Sequence, residues 1–193
     1  MKRLIAYILC VIMILTLCAC DFSAQVPEPD TVVKEYLENL PAECYTSQAA
    51  ANETIDSPID WQAEISKGYK YEITSVVVDG STSLVHATIT NRDLGTAFVE
   101  ASGMYLTYVF GAAFSDPQPT DEEIEAKYAE FLQTSFDAAT ETVSLECVFE
   151  LEMSKEGWII LNPEIDNMEN IVTGNLFVGI QDFANSFGDA SEE

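Results

Sequence analysis

The chain has 193 residues and a formal net charge of −25, from 33 acidic side chains against 8 lysines and arginines. Such a surface repels phosphate, and beyond Lys2 and Arg3 the basic residues form no run, so nucleic-acid binding is excluded. Anionic lipid headgroups are repelled for the same reason, so the protein body is not expected to lie on a membrane unaided.

The N-terminus resembles the signal peptide of bacterial lipoproteins. Met1-Lys2-Arg3 is followed by an apolar run over residues 4–17 and then by Leu17-Cys18-Ala19-Cys20. A basic start, a hydrophobic segment and a small residue before a cysteine are the parts of such a signal. The resemblance implies cleavage after Ala19, a lipid on Cys20, and attachment to the cell membrane on its extracytoplasmic side.

Plain secretion and an uncleaved membrane anchor remain alternatives for this segment. Signal cleavage without lipid requires small residues at the last and third-last positions, and Leu17 is too large for the latter. A transmembrane helix requires about 20 apolar residues, whereas this run is shorter and ends at Asp21. Lipidation at Cys18 is disfavoured because the preceding Leu17 is not small.

The predicted organisation is a signal peptide (residues 1–19), a tether (20–29), one domain (30–187) and an acidic tail (188–193). The mature chain would keep all 33 acids and 6 of the 8 basic residues. In the folded part only Cys44 and Cys147 remain, and they either form one disulfide or are two buried thiols.

The first half of the domain is predicted to change from helix to strand. Apolar spacing predicts a helix from Asp30 or Thr31 to Leu40, ended by Pro41, and a second helix over residues 42–52. A run over 69–78 that is rich in aromatic and β-branched residues, the turn Asp79-Gly80 and a second run over 84–90 predict a hairpin.

Helical spacing returns over residues 97–113, and a capping box from Thr120 to Glu123 predicts a helix to about residue 139. Residues 144–153 and 158–161 are predicted strands, and residues 167–187 a final helix despite Gly174 and Gly179. This order of elements predicts an α+β domain with an antiparallel sheet and helices on one face.

Three stretches, residues 71–80, 84–93 and 148–161, resemble exported lipoproteins of uncharacterised families with a nuclear-transport-factor-2-like or cystatin-like domain. The last contains the turn Lys155-Glu156-Gly157-Trp158. The resemblance implies a curved antiparallel sheet wrapped around a helix, in some members with a cavity, and it implies no activity.

No catalytic, metal or cofactor site is predicted. The single histidine, His86, is expected to be half-exposed on a strand, and the alternation around Glu146, Glu150 and Glu152 places these acids on a solvated strand face. Asp93, at the end of a strand, is the acid to examine if the fold encloses a cavity, although a turn that ends the strand is the favoured explanation.

Aromatic residues either line a pocket or pack in the core. The candidate pocket residues are Trp61, Tyr71, Asp93, Tyr105 and Trp158. The leading hypothesis is a non-enzymatic, lipid-anchored module that binds a small ligand or a basic envelope protein. The alternative is a small pocket enzyme of the nuclear-transport-factor-2-like fold that uses a carboxylate such as Asp93 for acid-base chemistry.

The lipid anchor predicts that Cys20→Ala abolishes labelling by a radioactive or alkyne-tagged fatty acid and causes the precursor to accumulate, because the acylated residue is lost. Labelling with electrophoresis of the processed forms measures both effects. Normal processing of the variant would contradict the prediction.

Overall fold

Within the residues that the computed structural model describes, 26–51 and 58–188, four antiparallel strands form one sheet and six helices accompany it. The strands, paired in this order, are β1 (Lys70–Asp79), β2 (Thr82–Arg92), β3 (Thr142–Met153) and β4 (Trp158–Ile160). The helices are α1 (Pro29–Ala51), α2 (Trp61–Gly68), α3 (Leu94–Ala112), α4 (Asp121–Ala138), α5 (Met168–Val172) and α6 (Leu176–Gly188). The predicted α+β class is confirmed.

The sheet has one buried face and one open face. On β2, Val85, Ala87 and Ile89 are buried, while the intervening residues, including His86, are half-buried on the opposite side. The predicted β1–β2 hairpin is confirmed, with Gly80 at a φ of 60° in its turn, a conformation that glycine adopts without strain. The alternation along β3 is confirmed as well, since Glu146, Glu150 and Glu152 are all exposed.

Helix α1 crosses the buried face of the sheet without interruption. The prediction that Pro41 ends this helix was wrong, because Pro41 lies inside it. A proline has no N–H to donate to the carbonyl four residues back, which here belongs to the fully buried Leu37. The hydroxyl of Tyr69 donates to that carbonyl oxygen at 3.0 Å and replaces the missing helical hydrogen bond.

Helix α2 was not among the elements predicted from the sequence. Asp60 caps it, its side chain accepting a hydrogen bond from the Ala63 N–H at 3.0 Å. Trp61 and Ile65, one turn apart, are both buried. The helix is therefore held by its apolar face and its cap.

Helices α3 and α4 form an antiparallel hairpin between β2 and β3. Both predicted helices are confirmed, and the capping box is formed by Thr120 and Glu123 as predicted. Asp93 caps α3 by accepting hydrogen bonds from both the N–H and the hydroxyl of Thr96, each at 3.0 Å.

The predicted final helix is two helices, because the chain turns between α5 and α6. Gly174 and Asn175 there have φ angles of 62° and 56°. The Gly174 carbonyl accepts hydrogen bonds from the N–H groups of Leu94 and Gly95. A side chain at Gly174 would clash with the Arg92 carbonyl, 2.2 Å from the position of its Cβ, so the close approach of backbones explains the break.

Two groups of buried apolar side chains form the core. The sheet cluster joins α1, the sheet and α5, and contains Val33, Leu37, Leu40, Cys44, Val85, Ala87, Ile89, Cys147, Phe149, Leu151, Met168 and Val172. The helical cluster joins α2, α3, α4 and α6, and contains Trp61, Ile65, Leu94, Ala97, Phe98, Ala101, Leu132, Phe136, Leu176 and Phe177. None of the described helices is long and apolar enough to cross a membrane.

Polar residues at the end of β2 lie between the two clusters. Asn91 is fully buried, and its amide nitrogen donates to the carbonyls of Ile65 in the helical cluster and Val172 in the sheet cluster. Arg92 donates to the Phe136 carbonyl at 2.6 Å and pairs with the buried carboxylate of Glu64 at 3.3 Å.

Tyr69→Phe should lower the free energy of unfolding by about 1–3 kcal/mol, since it leaves a buried carbonyl in α1 without a donor. Urea denaturation measures the change. Tyr71→Phe is the matched control, because its hydroxyl bonds to the exposed Glu38 carboxylate and its loss should cost under about 1 kcal/mol. Equal losses in the two variants would contradict this role of Tyr69.

Candidate functional site

A pocket of about 590 Å³ lies between α1 and the segment that follows β4. We call it the acid-rimmed pocket. Helix α1 lines it with residues of one face, and residues 163–170 form the opposite wall. The lining residues are Tyr36, Leu40, Glu43, Cys44, Ser47, Pro163, Glu164, Ile165, Asn167, Met168, Glu169 and Asn170.

The floor of the acid-rimmed pocket is apolar and fixed. Leu40, Cys44 and Met168 are buried members of the sheet cluster. The Tyr36 ring packs edge-on against Phe149 with a centroid distance of 5.7 Å, and its hydroxyl donates to the Pro163 carbonyl at 2.8 Å. That hydrogen bond ties the two walls together.

The rim of the pocket is acidic. Glu43, Glu164 and Glu169 are exposed at its border, and the Glu169 carboxylate accepts a hydrogen bond from the Gln48 amide at 2.7 Å. None of the residues that line the pocket is basic. The carboxylates therefore face the opening without a lysine or arginine among the lining residues to neutralise them.

Burial and this negative field act together on the groups inside. Burial, together with the nearby charges of Glu169 and Glu43, raises the pKa of the Cys44 thiol to about 12. Burial likewise raises the pKa of Tyr36 to about 12. Both groups are protonated and neutral at physiological pH, so Cys44 is not a thiolate nucleophile there.

Two of the predicted site residues, Trp61 and Asp93, stabilise helices. Trp61 is in the helical cluster, 5% exposed, with its ring centroid 5.7 Å from that of Phe136. Asp93 caps α3 through Thr96 and lines two smaller pockets beside that helix, of about 300 and 240 Å³.

The other predicted pocket residues lie elsewhere. Tyr71 packs against the sheet cluster, and its hydroxyl donates to the Glu38 carboxylate at 3.0 Å. Tyr105, on α3, packs against Tyr128 of α4 with centroids 4.7 Å apart. Trp158 borders a groove with Val26 at the turn end of the sheet. The five predicted residues are therefore not brought together in one site.

The histidine and the two cysteines singled out in the sequence lie on the open face of the sheet and in the core, respectively. His86 sits on the open face of β2, opposite Val148 of β3, on the other side of the sheet from the acid-rimmed pocket. Among the described residues, no group of three or more histidine, cysteine or acidic side chains could hold a metal ion. Cys44 and Cys147 are both buried and both free, and Cys20 lies outside the described residues.

The acid-rimmed pocket itself was missed from the sequence. Its helical wall spans Pro41, where a helix end was predicted, so Tyr36 and Leu40 were not connected with Cys44 and Ser47. The spacing of these four residues along one helix face was the signal present in the sequence. The opposite wall combines a loop with the first residues of the predicted final helix, and nothing in the sequence indicates that it packs against α1.

Comparisons with protein families, with curated proteins and with solved structures found no match for this chain.

The raised thiol pKa values predict that the protein loses stability as pH rises above about 9. The unfolded thiols deprotonate near pH 9, whereas folded Cys44 and Cys147 hold their protons to about pH 12 and 11. The native state then binds more protons, so the free energy of unfolding falls with pH, by up to about 1.4 kcal/mol per unit for each thiol.

Urea denaturation between pH 7 and 11 measures this slope. The tyrosines add to it above pH 10, so the Cys44→Ala variant isolates one thiol and should show a shallower fall between pH 9 and 11. A slope that is unchanged in Cys44→Ala would contradict the assignment.

Proposed function

We propose that this chain is an exported, lipid-anchored binding protein whose acid-rimmed pocket takes a small ligand that combines a cationic group with an apolar portion. The observation that carries the proposal is the pocket, with its apolar floor and its rim of three carboxylates. Its volume of about 590 Å³ lies in the range of small-molecule sites, which are mostly apolar with a few polar groups.

The charge of the pocket supports a cation over an anion. Glu43, Glu164 and Glu169 border the opening, and Glu43 and Glu169 act on the buried Cys44 strongly enough to contribute to its raised pKa. An ammonium group at the rim would interact with these carboxylates, while its apolar portion would cover Leu40 and Met168. A carboxylate ligand would be repelled.

Binding without chemical change is supported by how the reactive groups are engaged. Cys44 is a neutral thiol, and the Tyr36 hydroxyl donates to the Pro163 carbonyl. Asp93, the acid of the enzymatic alternative, is used as a helix cap away from this pocket. His86 lies on the opposite face of the sheet.

The anchor is supported by the leader sequence alone, since residues 1–25 lie outside the described structure. The chain is first described at Val26, beside Val76, Met153 and Trp158 at the turn end of the sheet. A lipid at Cys20 would hold that end within about 20 Å of the bilayer, at roughly 3 Å per residue.

The nuclear-transport-factor-2-like or cystatin-like fold is part of the same proposal. In its support, a long helix, α1, packs on an antiparallel sheet and contacts β1, β2 and β4. The α3–α4 hairpin between β2 and β3, and the helices after β4, are additions to that simple plan.

Octylamine should bind the chain, and octanoate, which matches it in length but has the opposite charge, should not. Titration calorimetry on soluble chain made without residues 1–20 measures both. Glu169→Gln should weaken octylamine binding about three- to five-fold, as expected for one partly solvated ion pair.

Glu150→Gln on the open sheet face is the matched control and should leave the affinity unchanged. Equal binding of the two probes, or equal loss in the two variants, would refute the proposed pocket specificity.

A further inference from the structure

The acid-rimmed pocket is elongated along α1. Tyr36 and Ser47 are the first and the last of the α1 residues that line it. They are eleven positions apart, which is about 16 Å along a helix axis. A volume of about 590 Å³ over that length corresponds to a width of about 6 Å on average. A pocket of this shape suits a linear molecule.

The opposite wall is tied to α1 at two places along this length. The Tyr36 hydroxyl donates to the Pro163 carbonyl at 2.8 Å. Three turns further along α1, the Gln48 amide donates to the Glu169 carboxylate at 2.7 Å. The wall therefore follows α1 in the same direction, and Glu164, which directly follows Pro163, is at the other end of the wall from Glu169.

Two of the three rim carboxylates act on the same part of the floor. Glu43 lies on α1 and Glu169 on α5, on opposite walls of the pocket. Burial is the main cause of the raised pKa of the Cys44 thiol, and the charges of Glu169 and Glu43 add to it. Glu164 makes no such contribution to the pKa of Cys44, so its carboxylate lies apart from the other two.

The carboxylates of Glu43 and Glu169 have further hydrogen-bond acceptors beside them. Ser47 lies one turn after Glu43 on α1, Asn170 directly follows Glu169, and both line the pocket. A primary ammonium group has three N–H donors and no acceptor. This part of the rim therefore offers one ammonium group acceptors from both walls.

A ligand with a single cation would leave the third carboxylate uncompensated. Residues 163–170 include Glu164, Asp166 and Glu169 but no lysine or arginine. Within the described part of the chain, none of the ion pairs includes Glu43, Glu164 or Glu169. A second cationic group near Glu164 would thus gain an interaction that one ammonium group, held at the other two carboxylates, does not make.

We propose, on the basis of the function proposed above, that the ligand of the acid-rimmed pocket is a linear diamine. One ammonium group binds between Glu43 and Glu169. The methylene chain covers the apolar floor at Leu40 and Met168, and the second ammonium group binds Glu164. The pocket then distinguishes a diamine from a monoamine of the same length through one carboxylate.

The probe 1,8-diaminooctane tests the second cationic position. Titration calorimetry in about 0.15 M salt compares it with octylamine and with 8-amino-1-octanol, whose far end is polar but neutral. The soluble chain made without residues 1–20 serves here as well, since it keeps every described helix and strand. The diamine should bind about five-fold more tightly than the amino alcohol, as expected for one partly solvated ion pair.

Three variants locate the second ammonium group. Glu164→Gln should remove the advantage of the diamine over the amino alcohol and leave the affinity for octylamine unchanged. Glu169→Gln should weaken all three probes alike, since each binds there with its first ammonium group. Glu146→Gln removes the same charge from the exposed face of the sheet and should keep the full advantage of the diamine.

Failure of the diamine assignment and failure of the pocket give different results. If octylamine binds but the diamine binds no more tightly than the amino alcohol, the diamine assignment is overturned and the proposed function stands. An advantage that survives in Glu164→Gln, or that Glu146→Gln removes, also overturns the assignment. If octylamine does not bind, both are overturned. Binding of octylamine by Glu164→Gln verifies that this variant is folded, and the comparison of probes on the wild type does not depend on it.

Discussion

The polar connection at the end of β2 holds the two halves of this fold in register. Asn91 donates to backbone carbonyls in both apolar clusters, and Arg92 reaches from the sheet to α2 and α4 through Glu64 and the Phe136 carbonyl. Loss of the Arg92 side chain would remove its hydrogen bond to the Phe136 carbonyl and its ion pair with Glu64 together, while Lys67 would still pair with Glu64. The helical cluster is therefore positioned on the sheet by hydrogen bonds as much as by apolar contact.

The backbone of Arg92, in the same polar connection, also explains the path of the chain after β4. Gly174 approaches the Arg92 carbonyl too closely for any side chain, and its own carbonyl accepts from the first N–H groups of α3. The positive φ at this position turns the chain, so that α5 joins the sheet cluster and α6 joins the helical cluster. One backbone contact thus divides the last helical segment between the two cores.

Local patterns in the sequence were sufficient to predict the strands of the sheet and the two helices of the α3–α4 hairpin. Alternation, the Asp79-Gly80 turn and the capping box at Thr120 depend on neighbouring residues, and they are confirmed. The predictions at Pro41 and Gly174 were wrong because a distant residue decides the structure in each case. The Tyr69 hydroxyl supplies the donor that Pro41 lacks, so the helix continues. The Arg92 carbonyl leaves no room for a side chain at Gly174, where the chain turns. The candidate site was missed for the same reason: one wall lies on the helix that Pro41 was expected to end, and the other lies on the loop after β4 and the start of α5, whose packing against α1 depends on distant contacts.

The length of β2 separates the turn end of the sheet from the start of α3. Its first residue lies at the turn end of the sheet, where Val26 is found, and its last residue leads through Asp93 into α3. Eleven residues of strand span roughly 35 Å. Under the proposed attachment at Cys20, the length of β2 sets the separation between the attached end of the sheet and the start of the α3–α4 hairpin. A longer or shorter tether would then change the distance from Cys20 to the sheet. The distance from the turn end of the sheet to the α3–α4 hairpin would stay the same, because β2 sets it.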